Sequence, residues 1–112
     1  MNIQIYTGKK NFDTQKAERY FKERRIAFQS LDLKKHKLGE REIRLMLNVI
    51  GAETLLNKED HKVKEHPACY YDKTELLIPA IQENPWLLKT PIVRNGNQVT
   101  VGYQPDQWKE WI

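Results

Sequence analysis

The first 33 residues alternate strand, helix and strand, and this order constrains the fold more than any other feature of the chain. Residues 2–6 carry Ile3 and Ile5 at the two-residue spacing of a strand, and residues 13–25 carry apolar side chains at helical spacing. Residues 26–33 return to a strand pattern. A helix between two strands over so short a stretch predicts a βαβ unit with parallel strands and a right-handed crossover.

The turn between this first strand and helix has the surroundings of a reactive-thiol site. It contains Gly8 and two lysines, and Asp13 is predicted to be either the N-cap or a first-turn acid of the helix, with Thr14 as a residue that could share the capping role. A helix N-terminus stabilises a thiolate, yet the turn has no cysteine. The single cysteine of the chain, Cys69, excludes an internal disulfide and fits a reducing compartment.

The central part of the chain reads as helical. Residues 39–50 have an apolar i, i+3, i+4, i+7 pattern that ends at Gly51, and residues 52–68 are polar and predicted to be irregular, with Pro67 as a breaker. A further helix is predicted to begin near Asp72 or Thr74 and to stop at Asn84-Pro85.

The last third predicts a hairpin and a helix. Asn95-Gly96 between two β-rich runs is a hairpin signal, and Pro105 opens a final helix with Trp108, Trp111 and Ile112. The order of strands and helices along the whole chain is that of a thioredoxin-like (glutaredoxin-type) α/β fold, with a four-stranded mixed sheet. We expect one domain over residues 1–112, with a helical insert at roughly residues 39–88.

Composition narrows the class of protein. No apolar run approaches the ~20 residues of a membrane span, and no signal peptide follows Met1, so a cytoplasmic location is expected. The net charge of +4 is uneven: residues 1–50 hold 12 Lys and Arg against 6 Asp and Glu. This basic half is compatible with an anion, nucleic acid or an acidic protein surface as partner, or simply with a solvated helix face.

Four segments, in order along the chain, resemble the arsenate reductase-like family that includes ArsC and the Spx transcription regulators. They are Ile5-Tyr6-Thr7 leading to Gln15-Lys16-Ala17, Ile50-Gly51 with Leu55-Leu56-Asn57, the stretch from Asn84 to Val93, and Val101-Gly102-Tyr103. The resemblance implies a thioredoxin-like fold with an inserted helical subdomain.

Departures from the family pattern fall on its functional positions. The resemblance places the enzymes' cysteine at Asn11, the second cysteine of the redox-switch regulators at Thr14, and the arginine before the proline at Thr90. The other anion-binding arginines correspond to Asn57 and to the neighbourhood of Tyr103. Without the thiol and the arginines, thiol-dependent arsenate reduction is not expected, and no catalytic residue is predicted.

Other residues at or beside this turn could have a structural role or a binding role. The resemblance implies a cis Thr90-Pro91 bond beside the first βα turn. Lys9, Lys10 and Lys16 around a helix N-terminus suggest a weak site for phosphate, sulfate or carboxylate, against the simpler alternative of a solvated basic loop.

Two further groups of residues could form functional sites or could simply pack in the core. Cys69 is interpreted as a small buried apolar residue rather than a reactive thiol, and its loose spacing from His61 and His66 does not predict a metal site. The aromatic residues are expected to pack in the core, although an exposed face would indicate a partner surface. These are Tyr70, Tyr71, Trp86, Trp108 and Trp111.

The expected function is that of a non-catalytic protein-binding or regulatory module without a cofactor. The resemblance to Spx implies contact with RNA polymerase, and Gly51 lies in the matching contact region; sequence-specific nucleic-acid binding is not expected. The alternatives are an enzyme that binds glutathione or an oxyanion at a non-standard site, and a redox protein acting through Cys69.

Overall fold

The βαβ unit is present at the start of the chain, within residues 1–111, which are those that the computed structural model describes. The strands are β1 (Ile3–Thr7), β2 (Phe28–Asp32), β3 (Ile92–Asn95) and β4 (Gln98–Val101). The helices are α1 (Phe12–Glu23), α2 (Glu40–Ile50), α3 (Ala52–Leu55), α4 (His61–Lys64), α5 (Thr74–Glu83) and α6 (Pro105–Glu110), with 3₁₀ turns at Pro67–Tyr70 and Pro85–Leu87.

The four strands form one mixed sheet in the order β2-β1-β3-β4. β1 runs parallel to β2, with Thr7 opposite Asp32, and antiparallel to β3, with Ile3 opposite Asn95. β3 and β4 form the predicted hairpin, in which Gly96 adopts a φ of +61°. The thioredoxin-like α/β fold with a mixed four-stranded sheet is therefore confirmed.

The sheet is covered on both faces, because successive side chains of β1 point to opposite faces and buried apolar residues occur on each. Ile3 and Ile5 pack with Phe21 of α1 and Trp108 of α6 on one face, and all four side chains are almost completely buried. Tyr6 points to the opposite face, where α2, α5 and the short helices form a larger core. β1 thus lies at the centre of the molecule, and its carboxyl end leads directly into the first βα turn.

Asp13 and Thr14 do not cap α1, and of the predicted alternatives the structure confirms Asp13 as a first-turn acid. Asn11, not Asp13 or Thr14, has the extended backbone of an N-cap (φ −150°, ψ 165°), and its Oδ1 accepts a hydrogen bond from the Thr14 backbone N–H at 2.8 Å. Asp13 lies in the first helical turn, where a carboxylate suits the helix dipole.

The strand predicted at residues 26–33 is shorter than expected. The Ile26 N–H donates to the Phe21 carbonyl at 2.9 Å, and Arg25 has a φ of +56°. These are features of a helix terminus, so Ile26 completes the end of α1 instead of pairing in the sheet.

The region predicted to be irregular, residues 52–68, contains α3, α4 and the start of a 3₁₀ turn. Its short helices bury Leu55, Leu56, Val63 and Ala68 in the larger core. Pro67 begins the 3₁₀ turn rather than breaking structure, because the first helical position needs no N–H donor.

The other predicted helix termini agree with the structure to within one or two residues. α2 ends at Gly51, whose N–H donates to the Leu47 carbonyl at 2.9 Å, and α5 begins at Thr74. α6 begins at Pro105 and buries Trp108. Ile112, which was predicted to belong to this helix, lies outside the described residues. No helix of residues 1–111 is both long enough and apolar enough to cross a bilayer.

Candidate functional site

A cleft lies at the edge of the sheet where β1 and β2 end. Because the two strands are parallel, the loops that follow them leave from the same edge, and the Leu33 N–H donates to the Thr7 carbonyl at 2.8 Å. Gly8 to Asn11 form one wall of the cleft, and Leu33 and Lys34 form the next.

The helical insert supplies the opposite wall. An antiparallel bridge joins Leu56 to Leu88, and the Asn57 N–H donates to the Leu87 carbonyl at 2.9 Å. These backbone bonds attach residues 55–57 to the segment that leads to Thr90. Asn57 therefore lines the same cleft as the first βα turn, although the two are far apart in the sequence.

The cleft has a volume of about 790 Å³ and a strongly basic lining. Its charged residues are four lysines and one aspartate: Lys9, Lys10, Lys34, Lys62 and Asp60. The Asp60 carboxylate accepts a hydrogen bond from the Lys62 backbone N–H at 2.9 Å. The positive charge of the lining thus exceeds its negative charge by three.

Asn11 and Thr90 both line the cleft and are hydrogen-bonded to each other. The Asn11 amide Nδ2 donates to the Thr90 carbonyl and contacts the Thr90 hydroxyl oxygen, each at 3.3 Å. The Thr90-Pro91 bond is cis, as the resemblance implied, and Pro91 is buried. A Cβ on Gly8 would lie 3.3 Å from the Thr90 Cγ2, so the turn approaches Thr90 too closely for a larger residue without a shift. Neither side chain of this pair is a thiol or a cation.

Thr14 lies behind this pair, in the first turn of α1. Its side chain is 91% buried, and its hydroxyl oxygen has no hydrogen-bond partner within residues 1–111. Thr14 does not line the cleft. An unpaired buried hydroxyl is uncommon in folded proteins, since losing water without gaining a partner costs free energy.

Two of the residues singled out from the sequence lie elsewhere. The Lys16 Nζ is 5.7 Å from the centre of the Tyr103 ring, and that ring packs edge-on against Trp108. Neither Lys16 nor Tyr103 lines the cleft, so Lys16 is separate from Lys9 and Lys10.

Gly51 occupies the junction of α2 and α3. Its backbone (φ +88°, ψ 151°) lies in a region that is essentially restricted to glycine. A Cβ built there meets no described atom within 4 Å, so the restriction comes from the backbone and not from crowding. The requirement for glycine at this position thus has a structural cause.

Lys34 and Lys62 line the cleft but were not predicted to, and Trp86, which was expected to pack in the core, lines it as well. The Lys62 Nζ lies 4.3 Å from the centre of the Trp86 ring, and His66 contacts that ring edge-on. Lys34 was foreseeable, because it follows a strand parallel to β1. Lys62 and Trp86 were not, since only the packing of the insert brings them here.

The expectation that all the aromatic residues pack in the core is wrong for Tyr70 and Trp86. Tyr70 is 82% exposed and Trp86 is 39% exposed, whereas Trp108 is fully buried and its indole N–H donates to the Thr100 hydroxyl at 2.8 Å. The exposed ring of Trp86 forms part of the cleft lining.

Cys69 and the two nearby histidines each have a local partner. The Cys69 thiol is half-buried and donates to the Val63 carbonyl at 3.1 Å, and His61 pairs with Glu65 at 2.9 Å. The His66 Nδ1 accepts from the Ala68 N–H at 3.0 Å. In the described part of the chain, no three His, Cys, Asp or Glu side chains are grouped as metal ligands would be.

A second polar cluster surrounds Glu42 at the start of α2. Its carboxylate accepts from the Tyr6 hydroxyl at 2.6 Å, lies 3.1 Å from the His36 Nε2, and accepts from the Gly39 N–H at 2.9 Å. Burial acts to raise the pKa of Glu42, but the hydrogen bonds outweigh it and the pKa is lowered. Burial and the bond to Glu42 raise the pKa of Tyr6 to about 12.

Comparison with known proteins relates the chain to one family. The profile of the ArsC family matches residues 6–111. The chain is 28% identical, over 116 aligned positions, to the global transcriptional regulator Spx 2 of Oceanobacillus iheyensis. That alignment covers 100% of this chain and 84% of the relative.

Solved structures share the fold at low sequence identity. An arsenate reductase from Vibrio cholerae superposes with a TM-score of 0.82 at 20% identity, over 100% of this chain and 98% of that one. An arsenate reductase (ArsC) related protein from Brucella melitensis gives 0.68 at 24% identity, over 99% and 94% of the two chains.

Proposed function

We propose that this chain, which belongs to the ArsC family, is a non-catalytic member that acts by binding a protein. The family match extends over residues 6–111, so it includes the cleft, the insert and the last helix. This member would thus use a fold that its relatives share for protein binding without catalysis.

The hydrogen-bonded contact between Asn11 and Thr90 carries the proposal. An amide is not a nucleophile under mild conditions, and a threonine cannot supply the positive charge of an arginine. The Asn11 Nδ2 lies 3.3 Å from both the carbonyl and the hydroxyl oxygen of Thr90, and the Asn11 Oδ1 caps α1, so the pair acts as a structural contact. This observation supports a scaffold that retains its shape without the thiol chemistry.

The Spx 2 relative suggests the kind of partner. That protein is named a global transcriptional regulator, and we extend the role to this chain as contact with RNA polymerase. Gly51 is the candidate contact residue in the insert, and it is partly exposed at the junction of two helices.

A specific observation favours a second candidate function. Lys9 and Lys10 line the cleft immediately before Asn11, the N-cap of α1. These groups would suit an enzyme that binds glutathione or an oxyanion. Calorimetric titration with glutathione, phosphate and arsenate tests it: saturable heats would favour this candidate, whereas their absence would favour the protein-binding role.

The protein-binding role is tested by affinity capture from native lysate. Tagged wild-type chain should enrich RNA polymerase subunits reproducibly over a tag-only control, and it should not convert arsenate to arsenite with glutathione as the reductant. Failure to enrich polymerase or any other reproducible partner would contradict the proposal, as would arsenate turnover.

A further inference from the structure

We propose that the lysine-lined cleft receives an acidic peptide segment of a protein partner, an inference that rests on the protein-binding role proposed above. The inference specifies that the partner's binding segment is acidic and that it binds in the cleft. The observations that carry it are the volume of the cleft, the unpaired state of its lysines and the arrangement around Trp86.

The volume of the cleft exceeds what a simple oxyanion needs. A water molecule takes about 30 Å³ in the liquid, so a tetrahedral oxyanion fills space on the order of 100 Å³. The cleft has about 790 Å³, which lies in the range of roughly 300–1,000 Å³ typical of sites for much larger ligands. A ligand of several residues matches this volume better than phosphate or arsenate does.

The lysines that line the cleft are free of ion pairs. None of the four ammonium groups lies within 4.0 Å of an acidic side chain in the described residues. Other lysines nearby are paired: Lys58 lies 2.7 Å from Glu53, and Lys89 lies 3.6 Å from Glu59. The cleft therefore concentrates uncompensated positive charge, which attracts a ligand with several negative groups.

The wall around Trp86 favours a peptide over nucleic acid. Single-stranded nucleic acids bind by stacking bases on free aromatic faces. In this cleft Lys62 lies over the Trp86 ring at 4.3 Å, and His66 contacts the ring edge-on, so the covered face is not available to a base. Buried Leu33 and Leu88 complete the lining and suit the methylene groups of glutamate side chains.

The test is fluorescence anisotropy with a labelled hexaglutamate peptide, using hexaglutamine and hexalysine peptides as references. Wild-type chain should bind hexaglutamate, more weakly as salt is raised, and should not bind the references. Lys34→Gln and Lys62→Gln should each weaken binding about two- to fivefold, the usual range for an exposed ion pair. The double charge reversal Lys34→Glu with Lys62→Glu should weaken it more than tenfold.

Matched controls separate the cleft from general charge. Lys22 and Lys109 are exposed lysines on α1 and α6 that do not line the cleft. Lys22→Gln and Lys109→Gln should leave the affinity unchanged, and circular dichroism verifies that every variant is folded. Equal losses in the cleft variants and the controls would overturn the inference. Tighter binding of a labelled oligonucleotide that depends on Lys34 and Lys62 would overturn it as well.

Capture from lysate distinguishes failure of this inference from failure of the proposed function. If the double charge-reversal variant retains the same partner as wild type, protein binding stands and the cleft is not its site. If hexaglutamate does not bind and no partner is captured, both fail. Loss of the partner together with loss of hexaglutamate binding is the expected result.

Discussion

The Asn11 side chain joins the start of α1 to Thr90, with its Nδ2 3.3 Å from both the carbonyl and the hydroxyl oxygen of that residue. The Oδ1 of the same amide caps the helix through the Thr14 N–H. The two positions at which the resemblance implies a cysteine and an arginine in other family members are thus partners in one structural contact in this chain. A single amide fulfils both roles because it carries a donor and an acceptor.

Substitution of Asn11 should separate its two roles. Asn11→Ala removes the cap and the bonds to Thr90, and we expect it to lower the free energy of unfolding by about 1–2 kcal/mol. Asn11→Asp keeps the capping acceptor but loses the donor, so its loss should be smaller, about 0.5–1 kcal/mol. Urea unfolding followed by circular dichroism measures both; equal stability of all three proteins would contradict the assignment.

Introducing a cysteine at Asn11 should create an activated thiol. In a Cys69→Ser background, the thiol of Asn11→Cys sits at the N-terminus of α1, and its pKa should fall below the ordinary value of about 8.5. The pH dependence of alkylation by iodoacetamide reports this pKa. Lys22→Cys, in the last turn of the same helix, is the matched control and should show no such lowering. A pKa at or above the ordinary value in Asn11→Cys would show that the turn no longer favours a thiolate.

Gly51 should be intolerant of substitution for backbone reasons. Gly51→Ala forces a side chain into a region essentially restricted to glycine, and we expect a loss of about 1–3 kcal/mol in the free energy of unfolding. Gly39 has an ordinary φ of −82°, and a Cβ there meets its nearest neighbour at 3.6 Å. Gly39→Ala is the control, with a smaller expected loss of about 0.5–1 kcal/mol, because Gly39 is the N-cap of α2 and alanine caps less well than glycine. Similar losses in both variants would show that the conformation of Gly51 is not the cause.

The carboxylate of Glu42 should stabilise the fold in a pH-dependent way. Its pKa is lower in the folded state than the ordinary value of 4.5, so its contribution is complete above pH 4.5 and is lost as the pH falls through the folded-state pKa. Glu42→Gln should be less stable than wild type at pH 7, by about 1–3 kcal/mol, and this difference should shrink in acid.

Urea unfolding between pH 3 and pH 7 checks this dependence, with Glu83→Gln as the control. Glu83 is exposed at the end of α5, so its substitution should not change the shape of the pH profile. A difference between wild type and Glu42→Gln that is independent of pH would exclude the charge of Glu42 as the source of its contribution.

The elements with clear periodicity could be predicted from the sequence, and so could the order of strands and helices along the chain. The N-cap of α1 could not, because Asn11, Asp13 and Thr14 are all good capping residues within four positions. The bonds to Thr90, which lies 79 residues away in the chain, favour Asn11.

The short helices of the insert are too brief to show a period. α3 and α4 each have four residues, and their helical conformation depends on burying Leu55 and Val63 in the core. Only the part of the cleft formed by the loops after the parallel strands β1 and β2 was predictable. Lys62 and Trp86 enter it through the pairing of Leu56 with Leu88, a long-range contact that local patterns do not encode.

The most direct test of the central claim, protein binding without thiol chemistry, is the affinity of the purified chain for RNA polymerase from the same organism, measured by surface plasmon resonance. We predict saturable binding with the same dissociation constant for wild type and Cys69→Ser, in the presence of either dithiothreitol or diamide. No saturable binding, or an affinity that depends on Cys69 or on the oxidant, would contradict the claim.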